Sequence, residues 1–483
     1  MYPDISKLKI MKSFIFQVFV VLSLLAVQSC QNKDSKTDSP NVILLMADDM
    51  GWGDPSYTGN PVSKTPNLDM LASTGVRFNR FYASSPVCSP TRGSCITGRH
   101  PYRYGIFYAN SGHMRKQEFT LAEALKTKGY VTGHFGKWHL GTLTKTERDA
   151  NRGGKPKLAG DYSPPWENGF DVCFSTESKV PTWNPMITPG RDAGNLGKHK
   201  PGSPFGTAYW TGPGQKASSN LEGDDSRVIM DRVIPFIGKA VESGKPFFSV
   251  VWFHTPHLPV LTGEKYKKLF SDYNEDIQNF YGAVYAMDEQ IGRLVSFLKE
   301  KGVYDNTVIF FTSDNGPEGR TRHGRTQGTQ GKFKGRKRSL HEGGIRVPGI
   351  MVWPAVIKDH IETDIAFSTL DYFPTVMEIT GFSDRGKPKP IDGISIMPFI
   401  RGEMKERPVS IGFESKKQQA FMNNRYKIYS SDSGETFALY DLVNDPSETT
   451  DISADHIEVV SKLKKQLEEW RKSCRNSYLG NDY

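Results

Sequence analysis

The sequence predicts an α/β fold, with a mostly parallel sheet flanked by helices and a smaller α+β domain at the C-terminal end. Two observations support this prediction. Four strand-like, largely apolar runs, at residues 42–47, 130–135, 247–253 and 308–311, alternate with helical patterns along the chain. Strands that are apolar without strict alternation are typical of parallel sheets that helices cover on both faces. With 483 residues, 37% of them hydrophobic, the chain can also bury a large core.

Each predicted helix has its own start and stop signals. The first begins after Thr65, with a proline in its first turn, and ends at Gly75. The second opens with a capping box at Thr120 and ends at Gly129. A long helix over residues 277–302 places apolar side chains at near-helical spacing on one face. The alternation of these helices with the strands favours a mostly parallel sheet with helices on both faces.

The pattern of predicted elements changes after residue 398, where short strand-like runs divided by turns lead into a final amphipathic helix. We therefore expect four parts: a signal segment over 1–30, a tether over 31–40, the main domain over 41–400 and an α+β subdomain over 401–483. Two long irregular segments, residues 142–165 and 185–214, are rich in Gly, Pro and Lys and are predicted to form loops at the rim of a functional site.

The N-terminal segment predicts export. A positive residue, Lys12, precedes an apolar run over residues 14–27 that is too short to span a membrane, and Met11 is the expected start. The run closes in Leu-Ala-Val-Gln-Ser-Cys, which resembles the lipobox of bacterial lipoproteins with Cys30 as the lipidated residue. The next four residues resemble the surface-export tether of Bacteroidetes lipoproteins. The expected protein is a bacterial lipoprotein of the outer membrane, cell surface or periplasm; a cleaved secretory signal is the alternative.

Charge and cysteine content narrow the function classes. Lys and Arg number 62 against 53 Asp and Glu, so the net charge of +9 favours acidic ligands. Nucleic acid is not expected, because the sequence contains no recognisable nucleic-acid-binding module. Five cysteines are too few for a disulfide scaffold. If Cys30 is lipidated and Cys88 is modified, at most one disulfide can form among Cys95, Cys173 and Cys474.

Oxygen-bearing side chains follow two of the predicted strands. Asp48 and Asp49 come directly after the first strand, and Asp314 and Asn315 follow the fourth. The carboxyl ends of parallel strands meet at one edge of a sheet, which is where ligands bind in α/β proteins. Oxygen donors suit a hard cation such as Ca²⁺ better than Zn²⁺, which prefers His and Cys. The sequence therefore predicts a calcium site at this edge.

The segment from Pro86 to Arg99 contains Cys88, Pro90 and Arg92 in the pattern Cys-x-Pro-x-Arg, followed by Thr-Gly-Arg. Pro90 suits the first turn of a helix, so Cys88 is expected just ahead of that helix, near its unpaired N–H groups. The string resembles the signature of the type I sulfatases. Other blocks resemble the same family in the same order, among them Gly136 to Gly141, Thr255-Pro256-His257 and Glu342 to Pro348.

The resemblance implies an alkaline-phosphatase-like fold and a particular set of site residues. It implies that a maturation enzyme oxidises Cys88 to formylglycine (3-oxoalanine). The implied calcium ligands are Asp48, Asp49, Asp314, Asn315 and the converted Cys88. Arg92 and Lys137 would steady the formylglycine, and His139 would remove a proton during sulfate release. Lys337 and His257 would hold the sulfate and protonate the leaving oxygen, and His254 is a further expected substrate contact.

The expected substrate is a sulfated polysaccharide or oligosaccharide, since the family hydrolyses sulfate esters and the strongly basic segment 320–338 lies close to the Lys337 block. Arg322, Arg325 and Lys334 of that segment are predicted to form a substrate wall. Algal carrageenan or ulvan is the expected polymer, and glycosaminoglycan is the open alternative. Two other functions remain open: a phosphodiesterase or phosphonate monoester hydrolase on the same fold, and a surface lipoprotein that binds sulfated glycan without catalysis.

Overall fold

The computed structural model describes residues 39–190, 200–319, 326–382 and 390–483, and residues 40–483 form one unit. The predicted signal segment and Cys30 lie outside the described residues. The strands, numbered in chain order, are β1 Asn41–Ala47, β2 Val76–Phe78, β3 Phe81–Tyr82, β4 Val131–Lys137, β5 Val172–Thr176, β6 Trp210–Gly212, β7 Gln215–Lys216, β8 Phe247–Trp252, β9 Thr307–Ser313, β10 Arg346–Val347, β11 Gly349–Val352, β12 Ile361–Thr363, β13 Phe367–Ser368, β14 Ile411–Ser415, β15 Gln418–Met422, β16 Tyr426–Ser430 and β17 Ala438–Asp441. The α-helices are α1 Pro66–Thr74, α2 Cys88–Thr97, α3 Leu121–Lys126, α4 Asp225–Glu242, α5 Glu264–Lys267, α6 Glu275–Glu300, α7 Glu342–Ile345, α8 Tyr372–Ile379, α9 Met397–Ile400 and α10 Ile457–Tyr478.

A ten-stranded sheet forms the centre of the molecule, in the order β12-β2-β11-β9-β1-β8-β4-β5-β6-β7. Its middle strands, β9, β1, β8, β4 and β5, are parallel, and β11 and β6 join them antiparallel. All four strands predicted from the sequence lie in this middle part. The predicted α/β class, with a mostly parallel sheet between helices, is confirmed.

Strand β1 shows why the sheet is buried on both faces. Its residues alternate between two apolar cores: Val42, Leu44 and Met46 face one, and Ile43 and Leu45 face the other. Helices α2, α3 and α8 cover the first core, while α1, α4 and α6 cover the second. Fully burying one such aliphatic side chain contributes about 1.5–3 kcal/mol, so both faces of the sheet stabilise the fold.

Of the helix starts predicted from the sequence, one has the expected capping bonds and two differ from the prediction. The capping box at Thr120 is present and starts α3. Thr65 precedes α1 as predicted, but it makes no capping bond, because its hydroxyl contacts Ser56 and Asp69. The prediction that Cys88 lies ahead of its helix is wrong: Cys88 is the first residue of α2, and Val87 occupies the cap position.

The C-terminal part contains an antiparallel sheet in the order β14-β15-β16-β17, with α10 packed against it. A buried ion cluster ties this sheet to the rest of the unit. Lys427 of β16 is fully buried and lies 3.0 Å from the Glu342 carboxylate of α7 and 3.1 Å from the Glu448 carboxylate. Cys95, Cys173 and Cys474 are unpaired thiols. Among the described residues, no helix is both long and apolar enough to cross a membrane.

Candidate active site

The ends of β1 and β9 deliver carboxylates to one buried point. The two strands run in register, with Ala47 opposite Ser313, so the residues that follow them meet. Asp49 has a left-handed backbone, with φ of 68°, and its N–H donates to Asp314 Oδ1 at 3.1 Å. Asn315 Nδ2 donates to Asp49 Oδ1 at 2.8 Å. The sharp turn after β1 therefore brings the two strand ends together as the sequence predicted.

Several oxygens at this point have no hydrogen-bond partner in the part of the chain that the structure describes. They are Asp48 Oδ1, Asp49 Oδ2 and Asn315 Oδ1, and each is buried. A buried polar atom without a partner costs about 1–3 kcal/mol, so such a cluster indicates that something else binds there. Single ligand atoms of Asp48, Cys88 and Asp314 also lie within 4.8 Å of one another. The oxygen donors Asp48, Asp49, Asp314 and Asn315 fit a divalent cation that prefers oxygen.

Three cationic side chains balance these carboxylates. Arg92 is fully buried and binds Asp314 Oδ2 through Nη2 at 2.6 Å and Nε at 3.1 Å. Lys137 Nζ lies 2.7 Å from Asp48 Oδ2, and Lys337 Nζ contacts Asp49 Oδ1. Arg92 also donates to the Lys137 carbonyl at 3.1 Å, which links two of the cations. The structure therefore brings Arg92, Lys137 and Lys337 together as predicted.

The surroundings shift the pKa values of these groups. Burial, reinforced by the Asp48 carboxylate, raises the pKa of Asp314 to about 6 in spite of Arg92. Burial also acts to raise the pKa of Asp49, but the charge of Lys337 outweighs it and holds that pKa well below its usual range. Burial opposes the charged form of Lys337, yet the Asp49 carboxylate dominates and raises the lysine pKa. Lys337 is therefore charged.

Cys88 lies at the start of α2 with only 3% of its surface exposed. Burial raises the pKa of its thiol, although the charges of Lys137 and Lys337 act in the opposite direction. A thiol with a raised pKa is protonated at neutral pH and is a poor nucleophile. An unmodified Cys88 is therefore badly suited to attack a substrate.

Two histidines line the same pocket with different hydrogen-bond patterns. His139 Nε2 donates to Asn110 Oδ1 at 2.9 Å, while its buried Nδ1 has no partner among the described residues. His257 Nδ1 donates to the Leu258 carbonyl at 2.6 Å, and its Nε2 lies 3.7 Å from Asp49 Oδ2. Burial lowers both pKa values well below the usual range, and nearby lysines add to the effect. Each ring is therefore neutral and keeps one basic nitrogen.

These groups open into a pocket of about 230 Å³. Its lining residues are Val87, Cys88, Tyr108, Ala109, Asn110, Lys137, His139, Asn151, Ser178, Lys179, His257, Lys337 and Arg338. Larger cavities, of about 520 and 530 Å³, lie elsewhere and contain neither Cys88 nor the strand-end carboxylates. The convergent charged groups identify the smaller pocket as the candidate active site.

Several residues that line the pocket and form its wall were not predicted from the sequence, notably Tyr108, Asn110, Asn151, Ser178 and Lys179. Of these, only Asn151 lies in a segment that the sequence associates with the site, the irregular segment 142–165. The others lie in short connections whose positions depend on tertiary contacts.

A hydrogen-bond hub at Glu177 holds part of this wall. Its carbonyl accepts from His139 N at 3.1 Å, and its carboxylate accepts from Arg152 N at 3.1 Å and Gly153 N at 2.8 Å. Burial raises the pKa of Glu177 to about 7 against the nearby Arg152 charge. Glu177 therefore links His139 to the loop that carries Asn151.

His254 lies behind the wall and not in it. Its Nδ1 lies 2.8 Å from Asp225 Oδ2 and its Nε2 lies 2.8 Å from Thr176 Oγ1, and all three residues are fully buried. Thr176 Oγ1 in turn donates to the Ser178 carbonyl at 2.7 Å. The predicted substrate contact of His254 stays a prediction, and its placement instead supports the segment that carries Ser178.

Of the predicted substrate wall, Arg322, Arg325 and Lys334, only Lys334 lies among the described residues. Arg322 and Arg325 lie outside the described residues. Lys334 is exposed, lies 5.4 Å from the centre of the Tyr440 ring and donates to the Glu448 carbonyl at 3.4 Å. Lys334 is not among the residues that line the pocket. Its role in substrate binding also stays a prediction.

Comparison with known proteins gives one consistent result. The sulfatase family model matches residues 40–382, and a model described as N-sulphoglucosamine sulphohydrolase, C-terminal, matches residues 328–473. N-acetylgalactosamine-6-sulfatase of Sus scrofa is 31% identical over 391 residues, which cover 77% of this chain and 68% of that protein. The solved structure of Ps i-CgsB in complex with k-i-k-neocarrahexaose has a TM-score of 0.75 and 26% identity, covering 90% of this chain and 93% of its own. The PsFucS1 sulfatase from Pseudoalteromonas sp. has a TM-score of 0.73 and 25% identity, covering 94% of both chains.

Proposed function

This chain belongs to the sulfatase family and is a sulfuric ester hydrolase, and we propose that its substrate is a sulfated polysaccharide or oligosaccharide. The proposed site uses a formylglycine made from Cys88 and one calcium ion. The observation that carries the proposal is the joint placement, at one pocket, of Cys88, buried carboxylates with unbonded oxygens and two lysines.

Calcium is the proposed metal because every unbonded atom of the cluster is a hard oxygen. Asp48, Asp49 and Asn315 each offer one such oxygen, and the Asp314 carboxylate, which follows β9, accepts a hydrogen bond from Asp49 N. Ca²⁺ takes six to eight oxygen ligands, which suits carboxylate and amide groups supplemented by substrate. When bound, the ion supplies a Lewis acid that neutralises a sulfate oxygen and orients the nucleophile.

Conversion of Cys88 is proposed because Cys88, Pro90 and Arg92 form the pattern that resembles the sulfatase signature, and because Cys88 lines the pocket. The thiol is buried and protonated, yet it lies within the carboxylate cluster and lines the pocket. The hydrated aldehyde of formylglycine supplies one hydroxyl for attack on sulfur and a second through which sulfate is later expelled. The conversion needs a formylglycine-generating maturation enzyme as a partner.

The remaining roles follow from charge and from the free nitrogen of each histidine. Lys137 and Lys337 line the pocket as cations. Lys337 is assigned to the sulfate oxygens, where charge develops in the transition state, and Lys137 is assigned to steady the formylglycine. His257 keeps its Nε2 available because Nδ1 donates to the backbone. We assign Nε2 to take up a proton from solvent when the anionic substrate binds, and then to donate that proton to the leaving oxygen. His139 takes up a proton at Nδ1 during sulfate release, since its Nε2 is held by Asn110. Arg92 fixes Asp314 and the Lys137 backbone, so its role is to position them.

A glycan substrate is supported by the lining of the pocket. The cations Lys137, Lys179, Lys337 and Arg338 line it, together with amides and hydroxyls suited to sugar hydroxyl groups. The similar Ps i-CgsB structure is a complex with a carrageenan oligosaccharide. Carrageenan or ulvan is therefore the proposed polymer, and glycosaminoglycan is the alternative.

The test combines mass spectrometry with a substrate panel. The protein is produced with and without a formylglycine-generating enzyme, and the mass of the Cys88 peptide shows whether the thiol has become an aldehyde. Sulfate release is then measured by ion chromatography from carrageenan, ulvan and glycosaminoglycan oligosaccharides and from 4-methylumbelliferyl sulfate, with an aryl phosphonate as control. We expect sulfate release only from the converted protein. Equal activity of the unconverted protein, or hydrolysis of the phosphonate alone, would contradict the proposal.

Export as a lipoprotein is proposed from the lipobox at Cys30. Labelling cells with a clickable fatty acid should tag the wild-type protein but not Cys30→Ala. Labelling of both proteins would place the lipid elsewhere, and labelling of neither would favour an ordinary cleaved signal.

A further inference from the structure

The turn between β14 and β15 lies beside the pocket and contacts two of the residues that line it, although the turn belongs to the C-terminal sheet. Lys416 Nζ lies 4.1 Å from the centre of the Tyr108 ring, and Tyr108 lines the pocket. Gln418 Nε2 donates to the Arg338 carbonyl at 2.7 Å, and Arg338 also lines the pocket. The position of this turn relative to the pocket is therefore set by two contacts, one made by Lys416 and one made by Gln418.

The backbone at Lys416 is in the left-handed region, with φ of 55°. Glycine adopts this conformation without steric cost, whereas a residue with a Cβ does not. A long cationic side chain at such a position is a departure from the preferred turn residue, and departures of this kind concentrate at functional sites.

The charge of Lys416 is available to a ligand. The side chain is exposed, and no ion pair to it is found among the described residues. Arg338, on the same side of the mouth, is instead paired with Glu318. Lys416 thus presents an uncompensated positive charge beside the pocket, held over an aromatic ring.

The size of the pocket determines what can reach this charge. A cavity of about 230 Å³ is smaller than the roughly 300–1,000 Å³ of pockets that enclose drug-sized ligands. One sulfated sugar can fill it, with its sulfate towards Lys137 and Lys337. The next sugar of an oligosaccharide must then lie at the mouth, near Tyr108 and Lys416.

We propose that Lys416 binds a second anionic group, carried by the sugar next to the one that loses its sulfate. The enzyme then selects oligosaccharides with an acidic neighbouring sugar. This inference rests on the proposed function and deepens it. The acidic group is a second sulfate or a uronate carboxylate, which share the chemistry that Lys416 recognises.

The test uses Lys416→Met, which keeps the aliphatic stem over Tyr108 and removes the charge. Lys417→Met is the matched control, because it removes the same charge from the same turn, and Lys417 makes no side-chain contact with the described residues that line the pocket. Two substrate pairs separate the two sources of acid. ι- and κ-neocarrabiose differ by a sulfate on the adjacent sugar, and a chondroitin 6-sulfate disaccharide differs from its carboxyl-reduced form by a carboxylate. Each kcat/KM is divided by the value for 4-methylumbelliferyl sulfate in the same variant.

For at least one pair, wild-type protein should favour the acidic member by about two- to fivefold through KM, the range of an exposed charge pair. Lys416→Met should lose that preference, Lys417→Met should keep it, and added salt should weaken it. Members that are not turned over are measured as competitive inhibitors of 4-methylumbelliferyl sulfate hydrolysis. The pair that responds identifies the acidic group as sulfate or carboxylate.

Three outcomes would overturn the inference while leaving the sulfatase assignment intact. In the first, wild-type protein shows no preference for the acidic member of either pair. In the second, Lys416→Met keeps that preference. In the third, Lys416→Met and Lys417→Met lose it equally, which would indicate a non-specific electrostatic effect of the charges in the turn. Failure to hydrolyse 4-methylumbelliferyl sulfate after conversion of Cys88 would instead overturn the proposed function, and this inference with it.

Discussion

The floor and the mouth of the pocket are built on different principles. The floor is built on Asp48, Arg92 and Asp314, which are fully buried; Arg92 of α2 pairs with the two carboxylates that follow β1 and β9. The mouth consists of side chains from loops and from a turn of the C-terminal sheet, including Tyr108, Asn151 and Lys416. Opposite charges neutralise each other in the floor, whereas Lys416 at the mouth forms no ion pair with any described residue.

This difference separates chemistry from selection. Buried charges act in a medium of low effective dielectric constant, so their interactions are strong and their loss is costly. Exposed charges are screened by water and salt and contribute little each. Changes in the floor should therefore alter catalysis for every substrate, and changes at the mouth should alter only the choice among substrates.

The largest effect is expected at Cys88. Cys88→Ser should lose sustained turnover, because serine offers one hydroxyl and lacks the second through which sulfate would be expelled. Steady-state kinetics with 4-methylumbelliferyl sulfate measure this. Cys95→Ala, on the same helix but buried in the apolar core, is the control and should retain turnover. Multiple turnovers by Cys88→Ser near the wild-type rate would rule out formylglycine chemistry.

Lys337→Ala should lower kcat by roughly 10²–10³-fold for aryl sulfate and oligosaccharide alike, the cost of removing one preorganised charge from a transition state. Lys334→Ala is a matched change three positions earlier, and it should leave kcat near wild type because Lys334 is exposed and packs on Tyr440. If both variants showed the same kinetic loss, the division between floor and mouth would be wrong.

Calcium affinity should fall more than about tenfold in Asp314→Asn, since the carboxylate is part of the proposed ligand cluster. Calorimetric titration of the metal-stripped protein measures the affinity. Asp288→Asn is the control, because Asp288 is also a buried carboxylate but binds the N-terminus of α1. It should lose stability while keeping its calcium affinity. Equal affinities in Asp314→Asn and wild-type protein would contradict the metal assignment.

The smallest expected effect concerns pH and the wall between floor and mouth. The pKa of Glu177 is raised from 4.5 to about 7, so the folded state binds a proton more tightly than the unfolded state. The free energy of unfolding should therefore fall as pH rises from about 4.5 to 7, and this contribution should be absent in Glu177→Gln. Denaturant titrations of both proteins at pH 5 and pH 8 measure it. Parallel pH profiles would show that Glu177 does not titrate in this range.

Much of the framework could be predicted from the sequence because it depends on local pattern. The four central strands and the capping box at Thr120 are visible as apolar runs and cap residues. Helix α4 was not predicted: Pro235 interrupts its pattern, and the helix persists because its apolar side packs on the sheet. Cys88 was placed one position outside its helix, an error of the size expected at helix ends.

The sequence by itself determined the fold class, the family and the two polar strand ends, since each is written in contiguous residues. Only the tertiary structure decided which other side chains meet there. His254 directly precedes the Thr-Pro-His motif that contains His257. Packing nevertheless directs His254 to Asp225 and Thr176, behind the residues that line the pocket. Lys416 and Tyr108 are distant in the chain and meet because the C-terminal sheet is held by the buried charges around Lys427. Local residue patterns specify elements, whereas contacts between distant segments depend on how the whole core packs.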